Sequence, residues 1–294
     1  MKTSGMQPYT IQDFDRDFPD DGACLEWLRQ YLYPEGIFCK VCQKVTKHHR
    51  VNSRPSYSCD WCGHHVHPTA GTIFEKSTTP LRLWFYAVYS MASTRCGISA
   101  KQIQRETGVT YKTAWRMFNR IRSLLDEDDG KLGGTVEIDH TYIGGRRSGK
   151  GRGYIGDKAT VFGAVERKGR VKTAHVDTIR SKVNARLIRQ HVMPSALVYT
   201  DEGREFARLG QHGYQHRRIH HASKVYVQGN VHTNTIEGFL SLLKRGISGV
   251  YHAVSEKYLQ SYLNEYAFRY NHRSDEQPMF KTMLGRVSVD GSPS

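Results

Sequence analysis

Apolar and polar positions follow three rhythms along this chain. In residues 1–30 the stretch is polar, except that Cys24, Leu25, Trp27, Leu28 and Tyr31 recur at helical spacing and predict one helix from Asp20 to Tyr31. Residues 31–79 mix strand formers with polar residues and hold little apolar material for a core. Residues 80–126 read as helical throughout. Pro80 opens Leu-Arg-Leu-Trp-Phe-Tyr-Ala-Val-Tyr-Ser-Met, a nearly all-apolar run suited to burial. Two amphipathic helices then flank Gly108, with Ser99 and Thr110 placed to cap them, and the second spans about Tyr111 to Leu124. This is the helix-turn-helix pattern. Tyr111, Lys112, Arg116, Asn119 and Arg120 point outward on it, placed to reach the phosphates or base edges of DNA, while Trp115 and Phe118 point to the core.

The pattern changes after the polar, glycine-bearing linker 127–134. Strands are predicted at 135–143, 159–166 and 171–177, then a helix at about 182–192 and a strand at 196–200. A short helix from Glu205, a strand near 217–221 and a long helical region from about Thr235 complete a mixed α/β core over 135–280. Residues 281–294 are expected to be a flexible tail.

Composition sharpens the picture. The 294 residues carry a formal charge of +15 with a pI near 9.6. Residues 1–30 hold three cations against six acids, a net of −3 that leaves +18 on the rest. Such an excess favours a polyanion, and nucleic acid is the chief cytoplasmic one. No run approaches the length of a membrane-spanning helix, and no signal-peptide-like segment opens the chain, which predicts a cytoplasmic location. Its six cysteines then read as thiols or metal ligands rather than disulfides. Cys39-Lys-Val-Cys42 and Cys59-Asp-Trp-Cys62-Gly63 are separated by sixteen residues, the signature of a four-thiolate zinc ribbon. One structural Zn²⁺ there contributes about 10–16 kcal/mol to folding in small fingers, and Gly63 suits the positive φ of a knuckle.

Three acids carry the candidate chemistry. Asp139 lies inside Thr-Val-Glu-Ile-Asp-His-Thr-Tyr-Ile, Asp201 closes Ala-Leu-Val-Tyr-Thr-Asp, and Glu237 follows with 35 residues between it and Asp201. An acid at the end of a buried strand is costly unless a cation compensates it. Three strands in meander followed by alternating helices and strands, with acids at these places, predict a ribonuclease-H-like core. There the first strand is central, the fourth ends beside it, and Asp139, Asp201 and Glu237 hold two Mg²⁺ or Mn²⁺ ions about 3.5–4 Å apart. Asn234 is the alternative third ligand, and Asn234 with Glu237 also fits a capping box. Lys244, two turns beyond Glu237, and Arg245 are placed to hold a phosphate. Arg146, Arg147, Lys150 and Arg152, in the glycine-rich loop after the first strand, are further candidates for DNA contact.

Taken together, the chain resembles a bacterial insertion-sequence transposase of the DDE class, in the subfamily carrying an N-terminal zinc ribbon. The resemblance covers about residues 20–275. It rests on the two cysteine pairs, Gly71-Thr-Ile-Phe, Pro80-Leu-Arg-Leu-Trp, Glu137-Ile-Asp-His-Thr-Tyr-Ile-Gly-Gly145, Tyr199-Thr-Asp201 and the stretch from His232 to Gly246. It implies binding to the terminal inverted repeats of a double-stranded element, metal-dependent strand cleavage and transfer into target DNA, a dimer or higher oligomer on DNA, and a place at the bacterial nucleoid. His140 and Leu240 depart from the family pattern. Two rivals stand beside this reading. One is an inert DNA-binding regulator derived from a transposase. The other is a single-strand nuclease using His65-Val-His67 and one of Tyr258, Tyr262 and Tyr266.

Overall fold

A computed structural model describes residues 9–144, 158–201, 203–207, 209–219 and 232–288. The chain divides into two units, residues 1–124 with 275–294, and residues 125–274.

The first unit begins with two helices, α1 (Ile11–Asp17) and α2 (Asp21–Leu32), where the apolar rhythm predicted only the second. α1 is seven residues long with one buried side chain, Phe14, so it carries no hydrophobic stripe. Its signal was the capping box, in which Thr10 and Asp13 satisfy each other's backbone N–H. The acids here make local contacts within the unit. Asp21 accepts the Arg82 backbone N–H at 2.8 Å, Asp15 pairs with the Arg82 guanidinium, and Glu26 accepts the Tyr57 hydroxyl at 2.6 Å. Arg29 beside Glu26 holds that carboxyl down at about 2.

Five short strands follow: β1 (Phe38–Cys39), β2 (Lys44–Val45), β3 (His48–Val51), β4 (Ser56–Cys59) and β5 (His65–Val66). The first two form a hairpin and the last three an antiparallel sheet. The apolar run becomes α3 (Leu81–Ser93), with Trp84, Phe85, Val88 and Met91 fully buried. α4 (Ala100–Thr107) and α5 (Tyr111–Ser123) have the expected caps. Ser99 accepts from Gln102 N–H, Thr110 accepts from Thr113 N–H, and Gly108 takes a left-handed φ of 73° between them.

The predicted boundary at 280 and the tail after it differ from what is observed. The chain joins the first unit from Asp275, and a short helix, Met279–Leu284, packs on α3. Phe280 drives this, stacking on Tyr9 with ring centres 4.9 Å apart among Phe14, Phe18 and Tyr89. Ile73 N–H then donates to Val287 O. A single aromatic near the end of a chain gives a weak sequence signal, though here it closes a core.

The second unit is a mixed α/β layer structure. Its strands are β6 (Thr135–Ile143), β7 (Ala159–Glu166), β8 (Val171–Val176), β9 (Leu197–Thr200) and β10 (Gln215–Arg218), in the order β10-β9-β6-β7-β8. β6, β7 and β8 are antiparallel neighbours, whereas β9 runs parallel to β6 and β10 parallel to β9. The first strand is thus central and the fourth lies beside it, as expected. The last strand sits two residues earlier than predicted.

Alternation along β6 sends Val136 and Ile138 to one face, packed with residues of α6 (Ser181–His191). The opposite face is covered by α7 (Asn234–Gly246) and α8 (Glu256–Asn271). α8 also blunts the free edge of β8. Asn271 bonds both backbone groups of Val171, and Gln260 accepts from His175 N–H while donating to Thr173 O.

Two glycines let α7 come close. A Cβ at Gly163, which is paired with Asp139, would lie 3.0 Å from Ile236 Cδ1. A Cβ at Gly246 would overlap the Tyr266 hydroxyl. Gly246 has ordinary helical angles, φ −67° and ψ −46°, so helix propensity alone favours alanine by about 1 kcal/mol. The steric conflict outweighs this, and Gly246→Ala is expected to destabilise the protein by about 1–3 kcal/mol in urea unfolding. A stabilised variant would contradict the packing described.

Candidate active site and zinc-type knuckles

β6 and β9 bring the two aspartates together. Their parallel register ends at Ile138↔Thr200, and Asp139 and Asp201 are the next residues on each strand. Neighbouring strands lie about 4.8 Å apart, so the backbones at these two positions are close, although the ligand oxygens of Asp139, Asp201 and Glu237 do not all lie within 4.8 Å of one another. Asp139 Oδ1 accepts the His140 N–H at 2.7 Å, and Asp201 Oδ1 accepts the Gly203 N–H at 3.1 Å. Burial pushes the Asp139 carboxyl up from its ordinary 3.8 to about 6, and the charges of Asp201 and Glu237 push the same way. Lys244 pulls in the opposite direction. The four groups therefore share one electrostatic neighbourhood, although they come from β6, the end of β9 and two turns of α7.

The third acid reaches this place through a residue that the sequence reading passed over. Glu137, two positions before Asp139 and so on the same face of β6, is fully buried. Its carboxylate accepts the backbone N–H groups of Thr235 and Ile236 at 2.8 and 3.1 Å, and the Thr235 hydroxyl at 3.0 Å. Arg167 Nε donates to it at 2.6 Å, and the same guanidinium donates to His232 O at 2.8 Å. Glu137 thus caps α7 from another element, and a negative charge at a helix N-terminus is favourable. The signal was present in Val-Glu-Ile-Asp: two acids at period two in an apolar strand share a face.

The capping box expected within α7 does not form. Asn234 is the first helical residue and is exposed, while Thr233 occupies the N-cap without a side-chain cap bond. The Thr233 hydroxyl instead donates to Glu237 Oε1 at 2.7 Å. Glu137 has already taken the first-turn donors that an Asn234 cap would serve. His232 lies against Glu137, with Nδ1 3.4 Å from Oε1. His140 faces the opposite side of the sheet, stacked on Phe206 and paired through Nε2 with Asn184 Oδ1 at 2.9 Å; burial lowers its pKa. Lys244 and Arg245 are exposed on α7.

In the first unit the four cysteine sulfurs converge within 4.8 Å of one another. Cys39 and Cys62 are 3.5 Å apart, Cys42 and Cys59 3.9 Å. A tetrahedron with metal–sulfur bonds of about 2.3 Å needs edges of about 3.8 Å, so the set fits a single zinc ion. Both knuckles close alike. Gln43 N–H donates to Cys39 O and Gly63 N–H to Cys59 O, with φ of 54° at Gln43 and 72° at Gly63. The Cys42 N–H lowers the Cys39 pKa and the Thr46 hydroxyl brings Cys59 down to about 5, whereas hydrogen bonding to Cys62 pushes Cys42 up to about 12 and Cys62 is also raised.

The candidate DNA-contact residues fare differently. Tyr111, Lys112 and Arg116 are exposed on α5. Arg120 instead donates to the backbone carbonyls of Ile73 and Glu75 at 2.8 and 3.2 Å, holding the loop before α3. Phe118 is buried and Trp115 half-buried. Arg146, Arg147, Lys150 and Arg152 lie outside the described residues. Tyr266, one tyrosine of the rival nuclease reading, is buried against α7. No helix among the described residues is long and apolar enough to cross a membrane.

The sequence profile of the ISXO2-like transposase domain matches residues 131–271, which hold Glu137, Asp139, Asp201 and Glu237. An uncharacterized protein in transposable element ISH50 of Halobacterium salinarum is 30% identical over 275 residues, covering 86% of this chain and 92% of that protein. The chain belongs to the insertion-sequence transposases with an ISXO2-like domain. An uncharacterized transposase-like protein of Haemophilus influenzae is 28% identical over 104 residues, 35% of this chain and 83% of its own length. Among solved structures, the Mos1 strand transfer complex aligns over 71% of this chain and 78% of its own at 8% identity and a TM-score of 0.30, too low to support any further statement.

The titration of Asp139 gives this transposase a pH signature. Its folded pKa lies above its ordinary value, so the stability present below pH 4 is lost as pH rises through about 6. In metal-free protein, Asp139→Asn should therefore raise unfolding stability at pH 8 by about 3 kcal/mol and change it little at pH 4. Urea titrations at the two pH values check this, and an equal effect at both would contradict the assigned environment.

Proposed function

We propose that this chain is a DDE-type DNA transposase. It binds the terminal inverted repeats of its element and catalyses metal-dependent cleavage and strand transfer on a ribonuclease-H-like core. The observation that carries the reading is the parallel register of β6 and β9, which ends at Ile138↔Thr200 and sets Asp139 beside Asp201, with Glu237 on α7 close enough for its charge to act on the Asp139 carboxyl. Adjacent oxygen donors whose mutual repulsion a cation would relieve are the donor set for Mg²⁺ or Mn²⁺. Asp139, Asp201 and Glu237 would hold the ions, with Asn234 the alternative to Glu237. Bound there, divalent metal supplies a nucleophilic water or 3′-hydroxyl oxygen at neutral pH and stabilises the leaving 3′-oxygen.

The chain's own residues do the remaining work. Glu137 and Arg167 set where α7 begins and thereby hold Glu237 near the two aspartates. Lys244, on the same helix, meets a phosphate of the cut strand, and Arg245 is a second cation beside it. α4 and α5 act as a helix-turn-helix, with Tyr111, Lys112 and Arg116 on the outward face of its second helix. Zinc on Cys39, Cys42, Cys59 and Cys62 completes the ribbon. Arg146, Arg147, Lys150 and Arg152 add positive charge for DNA in the loop that follows the catalytic strand. The working form on paired inverted repeats is a dimer or higher oligomer, associated with the bacterial nucleoid.

A labelled inverted-repeat duplex incubated with protein and Mg²⁺ or Mn²⁺ tests this. Wild type should cut at the element end, and Asp139→Asn and Asp201→Asn should each lower the rate by about a thousandfold or more. Glu237→Gln should be as damaging, with Asn234→Ala tolerated; the reverse pattern moves the third ligand to Asn234. Unchanged cleavage by the aspartate variants would refute the site. Duplex binding without cleavage by wild type would favour an inert regulator.

A further inference from the structure

Three metal-ligating side chains outside the acidic site converge where β8 ends and α8 begins. His175 is the penultimate residue of β8, Asp177 follows the strand, and Glu256 is the first residue of α8. One ligand atom from each lies within 4.8 Å of the other two. His175 Nε2 is buried and makes no hydrogen bond, although Glu256 Oε1 is only 3.1 Å away. The two atoms form an ion pair only while the imidazole is protonated, and a neutral ring is left without that partner. Leaving a buried ring nitrogen unsatisfied costs about 1–3 kcal/mol, and a metal ion is a partner that needs the nitrogen and the oxygens together.

The surroundings hold the ligands in place. The His175 backbone N–H donates to Gln260 Oε1 at 2.8 Å, and Gln260 lies one turn beyond Glu256 on α8. The helix that supplies the glutamate is therefore bonded to the strand that supplies the histidine.

We propose that His175, Asp177 and Glu256 form a binding site for a first-row divalent transition ion. One imidazole with two carboxylates is a borderline donor set. It suits Zn²⁺, Ni²⁺ or Mn²⁺ with bonds of about 2.0–2.2 Å, and disfavours Mg²⁺ and Ca²⁺, which take oxygen alone. The ion ties the first turn of α8 to the edge strand of the sheet. The proposal is independent of the transposase reading, since none of these residues belongs to the acidic site.

The test is Ni²⁺ binding to the full chain, with its ribbon saturated with zinc and excess zinc removed, followed by calorimetry and thermal unfolding. Wild type should bind one Ni²⁺ that is retained in an Asp139→Asn, Asp201→Asn double variant, and Ni²⁺ should raise the unfolding midpoint of both. His175→Ala should abolish that binding and the shift. Glu256→Gln should weaken binding by about tenfold or more; its side chain is 65% exposed, so this variant still decides if the histidine variant misfolds. Equal affinity in wild type and Glu256→Gln, no binding by wild type, or loss of the ion in the double aspartate variant would each overturn the site.

Discussion

One buried carboxylate sets the geometry of the second unit. Glu137 sits on the central strand without solvent contact, a position costly for an ionised acid. It is compensated by two backbone N–H groups, a hydroxyl and a guanidinium, and those donors come from separate places. Meeting them fixes the start of α7 against β6 and ties Arg167, just past β7, to both. Removing any one partner would leave a buried charge or unpaired first-turn donors, so the arrangement is all or none. Glu237 and Lys244 inherit their positions near Asp139 from it. Gly163 and Gly246 serve the same end by letting the helix lie close.

The first unit solves a different problem. Its short strands hold few apolar residues, and four sulfurs drawn together lie among them, while the helices of the unit supply its apolar core around Phe14, Trp84 and Phe85. The acidic helices before them are part of this unit. Asp21 and Asp15 engage Arg82, and Glu26 engages Tyr57, so the negative segment contributes to structure and is not a loose arm. Arg120 likewise secures a loop on α5, where outward polarity alone suggested contact with DNA.

What the sequence conveyed and what it withheld follow from range. Strand and helix periods act over a few residues, and they located β6, β7, α5 and α6 to within a residue or two, as did the caps at Ser99 and Thr110. The cysteine spacing was equally local. Interactions between distant segments were not legible in advance. The cap on α7 comes from a strand 98 residues away, whereas the sequence pattern offers only the local candidate Asn234. The Met279–Leu284 helix joins the first unit through one phenylalanine and a strand-like contact between Ile73 and Val287, which no periodicity announces. The order of elements, and not any nearby residue, puts the strands that lead to Asp139 and Asp201 side by side.

The central claim is that one small volume near residues 139, 201 and 237 gathers divalent metal. Ferrous iron substituted for magnesium, with ascorbate and peroxide, generates hydroxyl radicals that cut the polypeptide beside wherever the ion sits. The account predicts metal-dependent fragments ending near these three positions, suppressed by excess Mg²⁺ and absent in Asp139→Asn. Fragments confined to the cysteine knuckles or to the His175 region, with none at the acids, would contradict it.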